Sequence, residues 1–150
     1  ERVVRVMTEN QPQRHKDTKI KLFEPVPIEI ERVARQTVDA AFKVHSVLGP
    51  GLLESVYGVC LAHELRRRGL KVENEVKIPI SYEGLELDAG LRIDLLVDGK
   101  LIVELKAVIR MEPVFEAQLL TYLKLTGHRL GLLINFNVPL IKDGIKRVVL

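Results

Sequence analysis

Three charged residues, Asp94, Glu104 and Lys106, stand inside the stretch "LRIDLLVDGKLIVELKAV" at 91–108, where two Leu-, Ile- and Val-rich runs flank an Asp-Gly turn signal. An ion left unpaired in a buried sheet costs several kcal/mol, so their presence there calls for a partner. Strand alternation puts Glu104 and Lys106 on one face and Leu105 on the other. Asp94 joins them only in one register. A two-residue Asp98-Gly99 loop would pair Asp94 with Val103 and send the two carboxylates to opposite faces. An odd-numbered connection reunites them: either the three-residue loop Val97-Asp98-Gly99, with Gly99 in a bulge, or an equivalent bulge within the strands. The odd connection is the one predicted. Two carboxylates on one face make a hard-oxygen site for a divalent ion such as Mg²⁺ or Mn²⁺. A neighbouring lysine can orient or activate a metal-bound water and balance negative charge, which is the chemistry of phosphate-ester hydrolysis. The competing reading of the hairpin alone is an edge strand whose Glu104 and Lys106 face solvent, a pair worth under about 1 kcal/mol.

The elements that must position these residues follow from periodicity. From Glu31 to about Leu48, Val33, Ala34, Val38, Ala41, Phe42 and Leu48 recur at helical spacing, and "GPG" at 49–51 ends that helix. A second helix is expected from about Leu52 to Arg68, with Leu53, Val56, Tyr57, Cys60, Leu61 and Leu65 buried. Gly69 stops it, and Arg66, Arg67 and Arg68 suit its C-terminal dipole. The period then changes to two in "KVENEVKIPISY", with Val72, Val76, Ile78 and Ile80 inward, and a turn is marked by Glu83-Gly84. "LELDAGLRIDLLV" and "KLIVELKAV" supply further strands. Pro113 opens a third helix, "RLGLLINF" reads as a buried strand and "IKRVVL" as a last one. The predicted order, ααβββαββ, gives an α/β or α+β domain with a mixed sheet flanked by helices.

The whole chain fits this picture. Its 150 residues are enough for one domain with a real core, and 47% hydrophobic with 29% charged residues excludes wholesale disorder. A net charge of +3 permits a nucleic-acid partner without demanding one. The single cysteine, Cys60, excludes an internal disulfide and suits a reducing compartment. No run approaches the ~18 apolar residues of a membrane span, and no signal peptide is evident. A soluble, cytoplasmic protein with no membrane partner is the expectation. Residues 8–21 are polar and aperiodic, so 1–27 reads as an N-terminal extension to a domain at 28–150. Val3, Val4 and Val6 within it hint at a short strand or at contact with a second subunit, and so at a homo-oligomer such as a dimer.

Asp94 followed by Glu104-Leu105-Lys106 across a hairpin resembles the active-site signature of the PD-(D/E)XK nuclease superfamily. "GLLESVY", Gly51 to Tyr57, is similar to the Gly-x-x-Glu-x-x-Tyr signature of the GxxExxY protein family, and "HSVLGPGLLESVY", "ELKAV" and "EAQLLTYLKLTG" look like that family too. The resemblance covers roughly residues 28 to 150. It implies a PD-(D/E)XK nuclease-like fold and a Mg²⁺- or Mn²⁺-dependent nuclease acting on DNA or RNA. Asp94 and Glu104 would be metal ligands helped by the Leu105 carbonyl, Lys106 would face the attacking water, and Glu54 would bind metal directly or through water. Gln118 and Tyr122, four apart on one helix face, resemble a substrate-contacting Gln-x-x-x-Tyr motif. For Glu54 the plainer alternative is an exposed helix glutamate, and for Tyr122 a core residue.

Other polar residues carry plainer readings. His45 is expected as a hydrogen-bonded core or interface histidine rather than a metal ligand. Arg92, two residues before Asp94, would contact phosphate or pair with Asp94. The Arg66–Arg68 run reads as a solvated helix end that would also serve a nucleic-acid backbone. Asn135 and Asn137 read as turn residues. Gly58 stands where many relatives carry an acid, and weakens its helix by ~1 kcal/mol relative to alanine. The rival functional reading is a nucleic-acid-binding or protein-interaction module that keeps a nuclease fold with little turnover, since few aromatics and modest charge offer no obvious stacking platform.

Overall fold

The computed structural model describes residues 24–150; the valines of the N-terminal extension lie outside them. Two helices come first, α1 (Ile28–Leu48) and α2 (Glu54–Arg67). Five strands follow: β1 (Val72–Lys77), β2 (Ile80–Tyr82), β3 (Leu85–Leu87), β4 (Arg92–Val97) and β5 (Leu101–Lys106). Helix α3 (Pro113–Thr126), strand β6 (Leu130–Asn135), a 3₁₀ turn at Ile141–Gly144 and strand β7 (Ile145–Val149) complete the chain.

The main sheet has the order β1-β4-β5-β6-β7, with β5 and β6 parallel and the other pairs antiparallel. It is a mixed sheet covered on both faces. On one face α1 and α2 bury Ala41, Tyr57, Leu61 and Leu65 against Val97, Leu101, Val103 and Leu132. On the other, α3 buries Leu119, Tyr122 and Leu123 against Leu96, Ile102, Leu133 and Val148. Strand β6 is buried at every residue and contributes side chains to both core layers, which is why "RLGLLINF" shows no alternation.

Several expected elements shift for identifiable reasons. Helix α1 begins at Ile28 rather than Glu31, because the Pro27 carbonyl accepts the N–H groups of Ile30 and Glu31 at 3.0 and 3.1 Å. The three strands expected between α2 and α3 are five. Pro79, which has no N–H to donate, separates β1 from β2, and Asp88-Ala89-Gly90 separates β3 from β4, with the Gly90 N–H turned back onto Asp88 Oδ1. Strands β2 and β3 form a separate two-stranded sheet around the expected Glu83-Gly84 turn. On α1, Phe42 is exposed while Thr37 and Val44 are buried. At the start of α2, Leu53 and Val56 are exposed, and Tyr57 takes the buried position instead.

The bend between α1 and α2 is pinned by the tyrosine of the "GLLESVY" stretch. Tyr57 is fully buried and stacked on Phe136 with ring centroids 4.5 Å apart. Its hydroxyl donates to the Gly49 carbonyl at 2.5 Å and accepts from the Leu52 N–H at 3.1 Å. Gly51, at φ 95°, supplies the left-handed backbone that the bend requires. These contacts fix the angle at which α2, and hence Glu54 at its start, meets the sheet. Tyr57→Phe removes the shared hydroxyl and leaves two backbone groups without it. We expect a loss of about 1–3 kcal/mol, read as a lower urea midpoint with an unchanged slope.

Candidate active site

The hairpin that carries the three charges makes an odd connection. Val97 pairs with Leu101, so the loop holds Asp98, Gly99 and Lys100, one residue later than Val97-Asp98-Gly99. Asp98 and Gly99 both take positive φ, 52° and 63°, and the Lys100 N–H closes the turn onto the Val97 carbonyl at 3.0 Å. The shift has a cause: Asp98 is anchored to the residue before β1, its N–H donating to the Lys71 carbonyl and its Oδ1 accepting the Lys71 N–H, each at 2.8 Å. In this register Asp94 stands across from Glu104.

The two carboxylates do meet, at a point where the sheet comes apart. The β4–β5 ladder stops at Leu95↔Val103, and the β1–β4 ladder skips from Asn74↔Leu95 to Val76↔Ile93. Asp94 therefore has no regular partner on either side. Its N–H donates to Glu104 Oε1 at 3.1 Å, and the Leu105 N–H donates to Asp94 Oδ2 at 2.8 Å. The side chains take the place of missing ladder bonds, and each carboxylate is locked with one oxygen on an amide. Alternation also breaks here: Leu95 belongs to the core layer under α1 and α2, but Leu96 and Ile93 both belong to the layer under α3. Opposite Asp94, Glu75 takes a positive φ of 49°, a conformation that glutamate adopts at a cost.

A cleft of about 440 Å³ opens at this break, lined by Glu54, Ser55, Gly58, Val59, Asn74, Glu75, Asp94, Leu95 and Leu105. Gly58 faces Leu105 across the cleft floor, where a Cβ would make ordinary contact with Leu105 Cδ1 at 3.4 Å. Glu54, exposed on the first turn of α2, projects toward the cleft. Burial, and then the charge of Asp94, raise the pKa of the Glu54 carboxyl, while Lys106 opposes the rise. Burial is also the largest cause of the rise at Asp94, against hydrogen bonds that its carboxylate accepts from the Leu105 N–H and from the Glu104 carboxyl. Glu104, only 6% exposed, is pushed up to about 8 by burial and then by the Asp94 charge. Two acids forced together in this way gain from a shared cation.

Among the described residues no three His, Cys, Asp or Glu side chains form a metal-caging group. Asp94 and Glu104 are a pair, with Glu54 standing off. That donor set fits Mg²⁺ or Mn²⁺, which binds through one or two carboxylates and keeps several waters. Lys106, at the half-buried end of β5, lies near enough to act electrostatically on all three acids, and its Nζ rests 4.4 Å from the centroid of the Phe115 ring.

The other expected residues fall differently. Tyr122 is buried under the sheet and also faces the acids: burial, then the Glu104 and Asp94 charges, raise its phenol pKa. Gln118, one turn earlier, is exposed on α3. Arg92 does not pair with Asp94; it pairs with Glu75 at 3.6 Å on the surface. His45 is a buried histidine whose Nε2 meets the Val138 carbonyl at 2.7 Å. The three arginines that end α2 are all used locally, Arg66 on the Val72 carbonyl, Arg67 on Glu64, and Arg68 on Glu64 and Gln36.

Glu75, Phe115 and Asn135 are site features that pattern reading gave no such place. Asn135 is 2% exposed, not a turn residue at the surface. Its side chain accepts the N–H groups of Val108 and Asn137 and donates to the Val108 carbonyl, fixing the chain just beyond Lys106. Phe115 had a signal in the sequence: it lies seven residues before Tyr122, two helical turns along the same face.

Among the described residues no helix is long and apolar enough to cross a membrane. No curated protein and no solved structure matches the chain. A family model described as the PD-(D/E)XK nuclease superfamily matches residues 31–148. The match takes in both layers of helices, the mixed sheet and every acid around the cleft, and the chain belongs to the PD-(D/E)XK nuclease superfamily.

Proposed function

We propose that this chain is a Mg²⁺- or Mn²⁺-dependent nuclease of the GxxExxY type, hydrolysing phosphodiester bonds of DNA or RNA through a domain at 28–150. The observation that supports this most is the Asp94–Glu104 pair, inserted where the sheet opens into a cleft and flanked by Lys106 and Glu54. A purely structural hairpin would close its ladder at this point with ordinary backbone bonds.

A bound divalent ion supplies Lewis acidity at the phosphoryl oxygen and lowers the pKa of a coordinated water. Asp94 and Glu104 would hold it through their carboxylates, aided by the Leu105 carbonyl, with Glu54 as a further acid that would bind directly or through water. Lys106 faces the nucleophilic water, orients it, and balances charge developing on the phosphate. Tyr122, whose phenol keeps its proton beside the acids, donates a hydrogen bond toward a phosphate oxygen. Gln118 contacts the substrate from the exposed face of α3, and Arg92 meets the backbone phosphate from the cleft rim.

Calorimetric titration of the chain with Mg²⁺ and with Mn²⁺, followed by cleavage assays on mixed DNA and RNA substrates, tests this. The expected result is saturable binding of the ion and metal-dependent cleavage that a chelator stops. A chain that binds neither ion sinks the nuclease reading.

A further inference from the structure

A lysine that is to face one water has to be held in place, because its flexible four-carbon stem leaves the ammonium free to wander. Among the described residues the Lys106 ammonium forms no ion pair, although Glu54, Asp94 and Glu104 all lie within its electrostatic reach. An ammonium so placed has a strong tendency to fall onto the nearest carboxylate. Doing so would occupy oxygens that a cation needs.

The contact that holds it is the Phe115 ring, 4.4 Å from Nζ to centroid. An aromatic face attracts a cation electrostatically but offers it no proton acceptor. It therefore keeps the charge near the acids without tying up their lone pairs. The ring is itself well placed: Phe115 lies in the first turn of α3, behind Pro113 at the helix start, with its N–H on the Glu112 carbonyl at 3.0 Å and its side chain packed against the core layer under that helix. The backbone of the lysine is fixed as well, by the Phe136 N–H on the Lys106 carbonyl at 2.9 Å and by the Asn135 clamp on Val108.

We propose that Phe115 is a positioning residue that seats the Lys106 ammonium beside the acid pair while leaving the carboxylate oxygens open to a cation. Its use in turnover rests on the nuclease reading above; the seat itself does not.

The test has two arms. In the first, NMR of the metal-free chain locates the Lys106 εCH₂ resonance, assigned by its loss in Lys106→Met. The wild type should show it upfield of the other lysines, from the ring current of Phe115. Phe115→Leu should return it to the ordinary lysine position, while Phe115→Trp keeps it displaced. In the second, steady-state cleavage with Mn²⁺ should show kcat lowered about ten- to a hundredfold in Phe115→Leu, with KM unchanged and activity recovered in Phe115→Trp. If leucine disturbs α3, judged by thermal melting, Phe115→Met is the second apolar substitute. A lysine resonance that is the same in wild type and the apolar variants overturns the seat, and a displaced resonance with unchanged kcat overturns the positioning role. A wild type that binds no ion and cleaves nothing overturns the nuclease reading and with it the role in turnover; the NMR arm still decides the seat.

Discussion

Asp94→Asn should lower cleavage by about a thousandfold or more while leaving the chain folded, and Asp94→Ala should do both kinds of damage at once. The difference follows from what the side chain does. One oxygen, Oδ2, accepts the Leu105 N–H at 2.8 Å. Asparagine keeps an acceptor for that amide but loses the negative charge that would hold a divalent ion. Alanine removes the charge and also leaves the Leu105 N–H without its partner beside the cleft, at a cost of about 1–3 kcal/mol. The two variants thus separate chemistry from architecture. Ion binding by calorimetry should be lost in both, and only the alanine variant should melt earlier. Cleavage and ion binding that survive in Asp94→Asn would remove Asp94 from the proposed mechanism.

How much of this could be read beforehand differs from one residue to the next. Fold class was legible, because the change from helical spacing at 31–68 to alternation at 71–82, and back to a helix at Pro113, leaves few ways to build a domain. The convergence of Asp94 with Glu104 was legible too, since strand parity admits only an odd connection between them. The residue at which the loop begins was not. It depends on Asp98 bonding to Lys71, 27 positions away, and no local pattern carries that contact. The same holds for Asn135 and Val108, which are also 27 apart. Glu75 shows a different limit. Its place opposite Asp94 is set by the β1–β4 register, and its positive φ, and the ladder gap it faces, arise from the packing of three strands together. Leu53 and Val56 satisfied the helical stripe and still lie exposed, while Tyr57 beside them is fully buried.

Glu104→Gln should stabilise the metal-free chain above neutral pH, an unusual result for removing a buried acid that accepts a backbone hydrogen bond. The sign follows from proton counting. In the unfolded chain a glutamate gives up its proton near 4.5, whereas folded Glu104 holds its proton until about 8. Between those values the folded state carries more bound protons than the unfolded state, so stability contributed by this group falls as pH rises and is flat above the window. Glutamine does not titrate and keeps a carbonyl oxygen for the Asp94 N–H. Its advantage should therefore grow through the window to a few kcal/mol. Urea unfolding in chelator at about pH 5 and about pH 8 measures this slope. A divalent ion should invert the ranking: it binds the folded wild type, which adds stability by mass action, whereas the glutamine variant has lost one of the two carboxylates and should gain little. Equal pH slopes for the two proteins in chelator would mean that Glu104 is already ionised at neutral pH. Equal stabilisation by Mg²⁺ would mean that the ion does not use it. The crossing of the two stability curves is what connects the acid pair to a cation without any reference to turnover, and it holds whichever nucleic acid the cleft accepts.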